Sequence, residues 1–469
     1  MTASAPTTAA ATAAATPAGR DRYVDLLRVA SLATVVLGHW LMAAVSGDGI
    51  GNLLALVPPL QGLTWLLQVM PVFFFVGGFS HALSYRSLER RAAGRPVYAD
   101  FLRARLRRLL RPTLVFVLLW TALALAVQLT GHGGGRLTGA ALRMVTQPLW
   151  FIGIYLAMVA LTPPLLKLHG RHGWGAFAAL AGAAALVDVA RFALGVPYAE
   201  FLNFALVWLA VHQLGFLRAD GRITRPAVLA AAGAAGAVLL VAFGPYPLSM
   251  VGMPGEKVSN MAPPTLALLC HGMWLVGAVQ LLARPAGVWL ARPRVWHGVV
   301  AANGIAMTAF LWHLTAMLGV YAAQLAAGAA LPEPATAGWW AQVPVRILLA
   351  AALTALLVRC LRRFEAPAVR AAPADAPAAG LPVADASRGS GPGGGSGSSG
   401  GRPAAAAGIT LCLLGILGLS MTGLGGLLEG HSAVLIALPV TAPAAIGMAL
   451  AGAFLVERSG SPRRVRLRG

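Results

Sequence analysis

Apolar runs of about twenty residues recur along the chain, separated by short polar or basic segments. Each run is long enough to cross a lipid core about 30 Å thick as a helix rising about 1.5 Å per residue. The pattern predicts spans at about 24–46, 62–84, 112–130, 148–168, 174–193, 200–218, 226–244, 263–283, 298–323 and 343–361. Two further runs follow at about 406–428 and 433–455, joined by the turn EGHS. The expected fold class is all-α: a polytopic transmembrane helix bundle with a ten-helix core and two C-terminal transmembrane helices.

The segments between the runs set the organisation. Residues 1–22, rich in Ala, Thr and Pro, read as a disordered N-terminal tail. The first apolar run is too long for a signal peptide and lacks a convincing cleavage site. Residues 23–365 hold the ten-helix bundle. Residues 366–405, with APADAPAAG and GSGPGGGSGSSGGRP, read as a flexible linker. Residues 406–469 form a two-helix tail ending in the basic ERSGSPRRVRLRG. The stretch YRSLERRAAGRPVYADFLRARLRRLLRP is the most basic of the main body, and KLHGRHG, RADGRITRP, RPAGVWLARPRVW and RRFEAP repeat the bias in alternate connections. The positive-inside rule places these segments, and both termini, in the cytoplasm. Arg136 and Arg143, in an outward loop, are outvoted by the rest.

Composition agrees. The 469 residues are 58% hydrophobic and 11% charged, with mean hydropathy +0.73, as in a multi-pass protein of the cell membrane. The net charge is +21, nearly all of it arginine. In a soluble protein that charge would suggest nucleic acid. Here the arginines sit between apolar runs, so the lipid bilayer is the expected partner and nucleic acid is not. Cys270, Cys360 and Cys412 lie in or beside apolar runs without metal or disulfide spacing and read as inert packing thiols. No metal site is expected.

Candidate chemistry begins in the first run, DRYVDLLRVASLATVVLGHWLMAAVS. An ionisable residue inside a span is costly in lipid and marks a functional site by default. His39 is one. It follows Arg28 by eleven residues, about three helical turns, so the two share nearly one face, with Asp25 and Ser46 close to it. That spacing puts His39 roughly 16 Å past Arg28, near the midplane. His212 and His313 lie inside later spans. A histidine in a bundle is also often a hydrogen-bonded core residue, and an Arg-rich segment is usually topology signal and lipid contact. His81, near a span end, and His169 and His172, in a cytoplasmic loop, read as interfacial. Trp150 with Phe151 reads as aromatic packing or an interfacial belt.

The motifs in order carry more. Asp25-Leu-Leu-Arg28 followed by His39, then PVFFFVGGF, FLRARLRRLLRP, PLWFIGIYL, VWLAVHQLGF around His212 and AFLWHLTAM around His313 together resemble the membrane acyltransferase-3 family, most closely its actinobacterial branch. The resemblance covers about residues 20–365. It implies an integral-membrane O-acyltransferase that moves an acyl group, often acetyl, from cytoplasmic acyl-CoA to a hydroxyl of a sugar, glycan or small molecule. It makes His39 the essential first-helix histidine and Arg28 its partner. It relates the Arg103-x-Arg105 or Arg105-x-Arg107 step to the family's RxR loop motif.

Chemistry fits that implication. Acyl-CoA, acetyl-CoA in the first instance, is the donor substrate and no bound cofactor is expected. Its phosphates need fixed positive charge, which Arg103, Arg105, Arg107 and Arg108 can supply. His212, about 9 Å inside Arg218 by helical rise, can line the donor vestibule. Asp25 can orient Arg28. His39 can act as general base or carry the acyl group itself. His313 and Trp150 are candidate acceptor contacts. Two alternatives stay open: a polytopic transporter or flippase of an amphipathic metabolite, its histidines a proton relay, and a scaffold whose tail recruits a partner.

Overall fold

The computed structural model describes residues 21–46, 49–131, 135–253, 256–365, 401–435 and 438–459. Residues 1–20 of the expected tail, most of the linker and the basic C-terminal end lie outside these residues, while the last two expected tail residues, Asp21 and Arg22, instead cap and begin the first helix. Helix α1 (Arg22–Met42) is capped by Asp21, whose carboxylate accepts from the Tyr23 and Val24 amides. The chain then turns into a hairpin of β1 (Ala43–Ser46) and β2 (Gly49–Asn52), with Ala44 opposite Gly51. The first apolar run thus stops being helical at Met42, and Ser46 leaves the expected polar stripe. Valine and isoleucine flanked by glycines favour a short hairpin there over another helical turn.

Short helices α2 (Leu53–Leu56) and α3 (Thr64–Leu67) precede α4 (Met70–Arg91), which starts at the favoured Pro71. Helix α5 runs from Tyr98 to Leu129. The arginine cluster is therefore the first third of a helix and not a loop: nothing between Tyr98 and Arg111 breaks a helix. Helices α6 (Arg136–Met144), α7 (Pro148–His172), α8 (Trp174–Phe192), α9 (Asn203–Ala219) and α10 (Pro226–Phe243) follow. Helix α11 (Leu266–Leu281) bends by 49° into α12 (Ala283–Leu290), so part of an expected cytoplasmic connection is helical. Helices α13 (Pro293–Ala326) and α14 (Ala337–Glu365) complete the core.

Among the described residues, ten helices are long and apolar enough to cross a membrane, eleven with the bent pair. Nine of the ten lie within residues 21–365, and the bent pair there makes a tenth. Helix α15 (Gly401–Thr422) starts before the expected boundary at 406. It pairs with α16 (Ala442–Arg458) across a second hairpin, β3 (Ser432–Leu435) and β4 (Leu438–Thr441). This unit docks on the core. Its helix α15 packs on α7. The Gln128 amide donates to Leu424 O at 2.9 Å and accepts from the Leu428 amide at 3.1 Å.

One end of the bundle is roofed by non-helical backbone whose polar groups find partners. Trp65 Nε1 donates to Leu248 O, the Met250 amide to Thr64 Oγ1, and His271 Nε2 to Trp65 O. Such backbone is tolerated at membrane depth only where it is satisfied in this way. At the same end Asp188 accepts from Asn203, Tyr246 and the Leu266 amide, tying α8, α9 and α11 together.

Helices α4 and α9 touch backbone to backbone. A Cβ on Gly215 would collide with Phe75 O and Phe79 N, and one on Gly78 would collide with His212 O. Small residues allow this approach in membrane bundles. Gly215→Val is expected to force the helices apart at a cost of about 1–3 kcal/mol, as overpacking does, read as a lower unfolding temperature in detergent. Wild-type stability would contradict the close contact.

Candidate active site

The roof end holds the first histidine pair. His39 lies in the last turn of α1, three residues before Met42. Its Nδ1 is 2.9 Å from Nε2 of His313 on α13, with the rings 5.0 Å apart and 29° from parallel. His313 is fully buried and its Nδ1 faces Phe310 O, while His39 is half-buried. A carbonyl only accepts, so His313 Nδ1 carries a proton. With both rings neutral, His313 Nε2 is then bare and accepts from His39 Nδ1–H. The His39 Nε2 lone pair is left free for chemistry. Trp40 Nε1 donates to His313 O at 3.0 Å and fixes the neighbouring backbone.

The opposite end gathers the arginines. Arg28 pairs with buried Asp25 at 3.1 Å and donates to Ser80 Oγ at 3.0 Å. Arg105 donates to Ser80 O at 3.3 Å and to Ser84 Oγ. The two arginines thus meet at one serine of α4. Arg103 is half-buried and pairs with Asp100 at 3.5 Å. Arg107 and Arg108 point outward; Arg107 reaches Glu457 of the tail at 3.7 Å. The structure turns Arg105, and in part Arg103, toward the interior, and leaves Arg107 and Arg108 on the surface.

Between the two ends lies a second histidine pair. His81 Nδ1 is 3.0 Å from His212 Nε2, and His81 Nε2 is 3.0 Å from Tyr155 Oη. Both rings are fully buried. This corrects the interfacial reading of His81: α4 continues to Arg91, so His81 sits inside the helix. It also sets His212 in a sealed pair and not on an open vestibule wall. The aromatic rings of Tyr155, Phe151 and Phe310 run from this pair toward His313, with centroid steps of 6.1, 5.0 and 5.7 Å. Trp150 is half-buried, 6.3 Å from Trp208 and 6.4 Å from Phe151, and so stands one ring off that line. Ser80, His81 and Tyr155 carry the polar contacts that sequence reasoning missed.

His169 is likewise not interfacial. It is fully buried, its Nε2 donating to Asp220 Oδ2 at 2.8 Å and its Nδ1 accepting from Gln213 at 2.6 Å. His172 is exposed, as expected. Asp220 also pairs with Arg86 at 2.5 Å, so one carboxylate joins α4, α7 and the end of α9. Burial pushes that carboxyl up, but Arg86 and His169 outweigh it and hold it below the usual carboxylate range. The native value being depressed, the stabilisation is fully present above the unfolded value of about 3.9 and is lost as pH falls through the native one. Asp220→Asn is expected to lower the unfolding temperature near neutrality, with the gap to wild type closing below about pH 4. A gap that stays constant down to the acid limb would refute the clamp.

Residues 21–359 match a family model described as an acyltransferase domain, and both histidine pairs, Arg28 and Arg105 fall inside it. The molecule is therefore a multi-pass acyltransferase of the membrane type. The chain belongs to the acyltransferase-3 family. No curated protein and no solved structure matches it.

Proposed function

We propose that the protein transfers an acyl group, acetyl in the first instance, from acyl-CoA to a hydroxyl of a sugar, glycan or small-molecule acceptor. The observation that carries this reading is the hydrogen-bond chain Phe310 O, His313, His39, which leaves His39 Nε2 as a free base. In the reaction the acceptor hydroxyl proton moves to Nε2 while its oxygen attacks the thioester carbonyl. The C–S bond then breaks and the CoA thiolate recovers the proton from the imidazolium. His313 Nε2, accepting from His39 Nδ1–H, steadies the positive ring between those steps.

Acyl-CoA approaches from the arginine end, which the positive-inside rule sets in the cytoplasm of a cell-membrane protein. Its phosphates meet Arg105, Arg103 and Arg28. Helical rise separates Arg28 from His39 by roughly 16 Å, a gap that the long pantetheine arm of CoA is suited to bridge. The inner pair, His81 and His212, is too enclosed to touch phosphate and supports the arginine floor through α4. The tail hairpin acts as a brace on α7 and α5. Comparative mass spectrometry of envelope and secreted products from wild-type and knockout cells tests the reading. A species that loses one acyl unit supports it; substrate flux without CoA release would support a transporter instead.

A further inference from the structure

Close to the His39–His313 pair, a narrow cleft opens between α1, α13 and α14. Trp40, Met317, Tyr321, Trp339, Val343 and Arg346 are among its walls. Trp40 is the shared element: it follows His39 in the chain and its indole donates to His313 O, while its side chain faces the cleft.

Residues of the cleft wall carry buried donors that have no hydrogen-bond partner. Arg346 is 6% exposed, and its Nε and Nη1 have no hydrogen-bond partner. Its Nη2 donates to Gln342 Oε1 at 2.5 Å, and its guanidinium lies 5.0 Å from the Tyr321 ring centre. No carboxylate among the described residues pairs with it. Trp339 is 1% exposed, and its Nε1 is also unpartnered. Three buried donor nitrogens without a hydrogen-bond partner, Nε and Nη1 of Arg346 and Nε1 of Trp339, thus belong to residues that line one cleft. Buried donors left unpaired are rare, and a buried unpaired cation is costlier still.

We propose that this cleft is an anion subsite: it takes a carboxylate or phosphate group of the acceptor and so presents a neighbouring hydroxyl to His39. The complement of a guanidinium and an indole N–H is an oxygen-rich anion. The cleft has room for little more than one oxygen of an acid group and none for a sugar ring, which leaves the ring outside, toward the histidines. The inference rests on the acyl-transfer reading for its role, but the binding it describes can be read alone.

The test uses the full chain in phosphatidylcholine nanodiscs, with glucose, glucuronate and glucose 1-phosphate as probes. Binding is followed by thermal shift, and CoA release from acetyl-CoA is measured separately. The wild type is expected to bind one of the acids about tenfold or more tightly than glucose. Arg346→Gln removes that preference, Arg346→Lys keeps part of it through its point charge, and acetyl-CoA still shifts both variants. Arg105→Gln leaves the preference in place. Acids that bind no better than glucose, a preference that survives Arg346→Gln, or one lost in Arg105→Gln would each overturn the subsite. Should Arg346→Gln fail to fold, the wild-type comparison and Arg346→Lys decide. Acid binding as described without any CoA release would instead sink the acyl-transfer reading and leave the anion subsite standing.

Discussion

Replacing His39 with alanine is expected to cut acyl transfer at least about a hundredfold and to leave the fold in place. The side chain is half-buried in the last turn of α1, and its one recorded hydrogen bond is to His313. Its loss leaves the apolar packing of α1 against α4 and α13 intact. What disappears is the free Nε2. A positioned general base contributes on the order of 10²–10⁴ in rate, so a drop of at least about a hundredfold in turnover is expected, with acetyl-CoA binding retained. His313→Ala should lie between wild type and His39→Ala. It frees His39 to adopt either tautomer and removes the acceptor that steadies the imidazolium, so turnover falls while the KM for acetyl-CoA stays near the wild-type value. A His313→Ala variant that changes only KM would place His313 in substrate binding instead.

Arg105→Gln is expected to weaken binding of the proposed acyl-CoA donor. Among the arginines of α5, Arg105 shares Ser80 with Arg28 and turns inward, whereas Arg107 and Arg108 face outward. A charge-assisted hydrogen bond is worth about 1.5–3 kcal/mol, which converts to roughly 10–150-fold in KM for acetyl-CoA. Turnover at saturating donor should change far less. Arg107→Gln and Arg108→Gln, on solvent-facing side chains, should shift KM only slightly. Steady-state kinetics on the three variants checks this. An Arg107→Gln effect as large as that of Arg105→Gln would move the phosphate site off the inner face.

The apolar spans were legible in the sequence, and His39, Arg28 and His313 stood out in it because an ionisable group in an apolar run is costly in lipid, whereas Arg105 was singled out only as one of a basic cluster. The errors share a physical cause. Hydropathy marks where lipid ends, not where a helix ends. SYRSLERR continues α4 past the apolar run, so His81 lies well inside the helix although it stands near the end of the expected span. FLRARLRRLL is polar yet strongly helix-forming, so the arginine loop is a helix. The four-residue strands β1 to β4 are too short for alternation to show. Pairing across elements was not legible either: that His39 meets His313, or that Arg28 and Arg105 share Ser80, depends on helix packing that one sequence does not spell out. Arg346 is the exception, since the rule that singled out His39 applies equally to an arginine inside the run 343–361.

The central claim is that His39 is the general base for transfer of an acyl group from acyl-CoA to a hydroxyl. Its most direct test is CoA release from acetyl-CoA by purified wild-type and His39→Ala protein in nanodiscs, with the acylated product followed by mass spectrometry. The account predicts CoA release and product together for the wild type, and neither for His39→Ala at an unchanged unfolding temperature. Equal rates in the two proteins would contradict it.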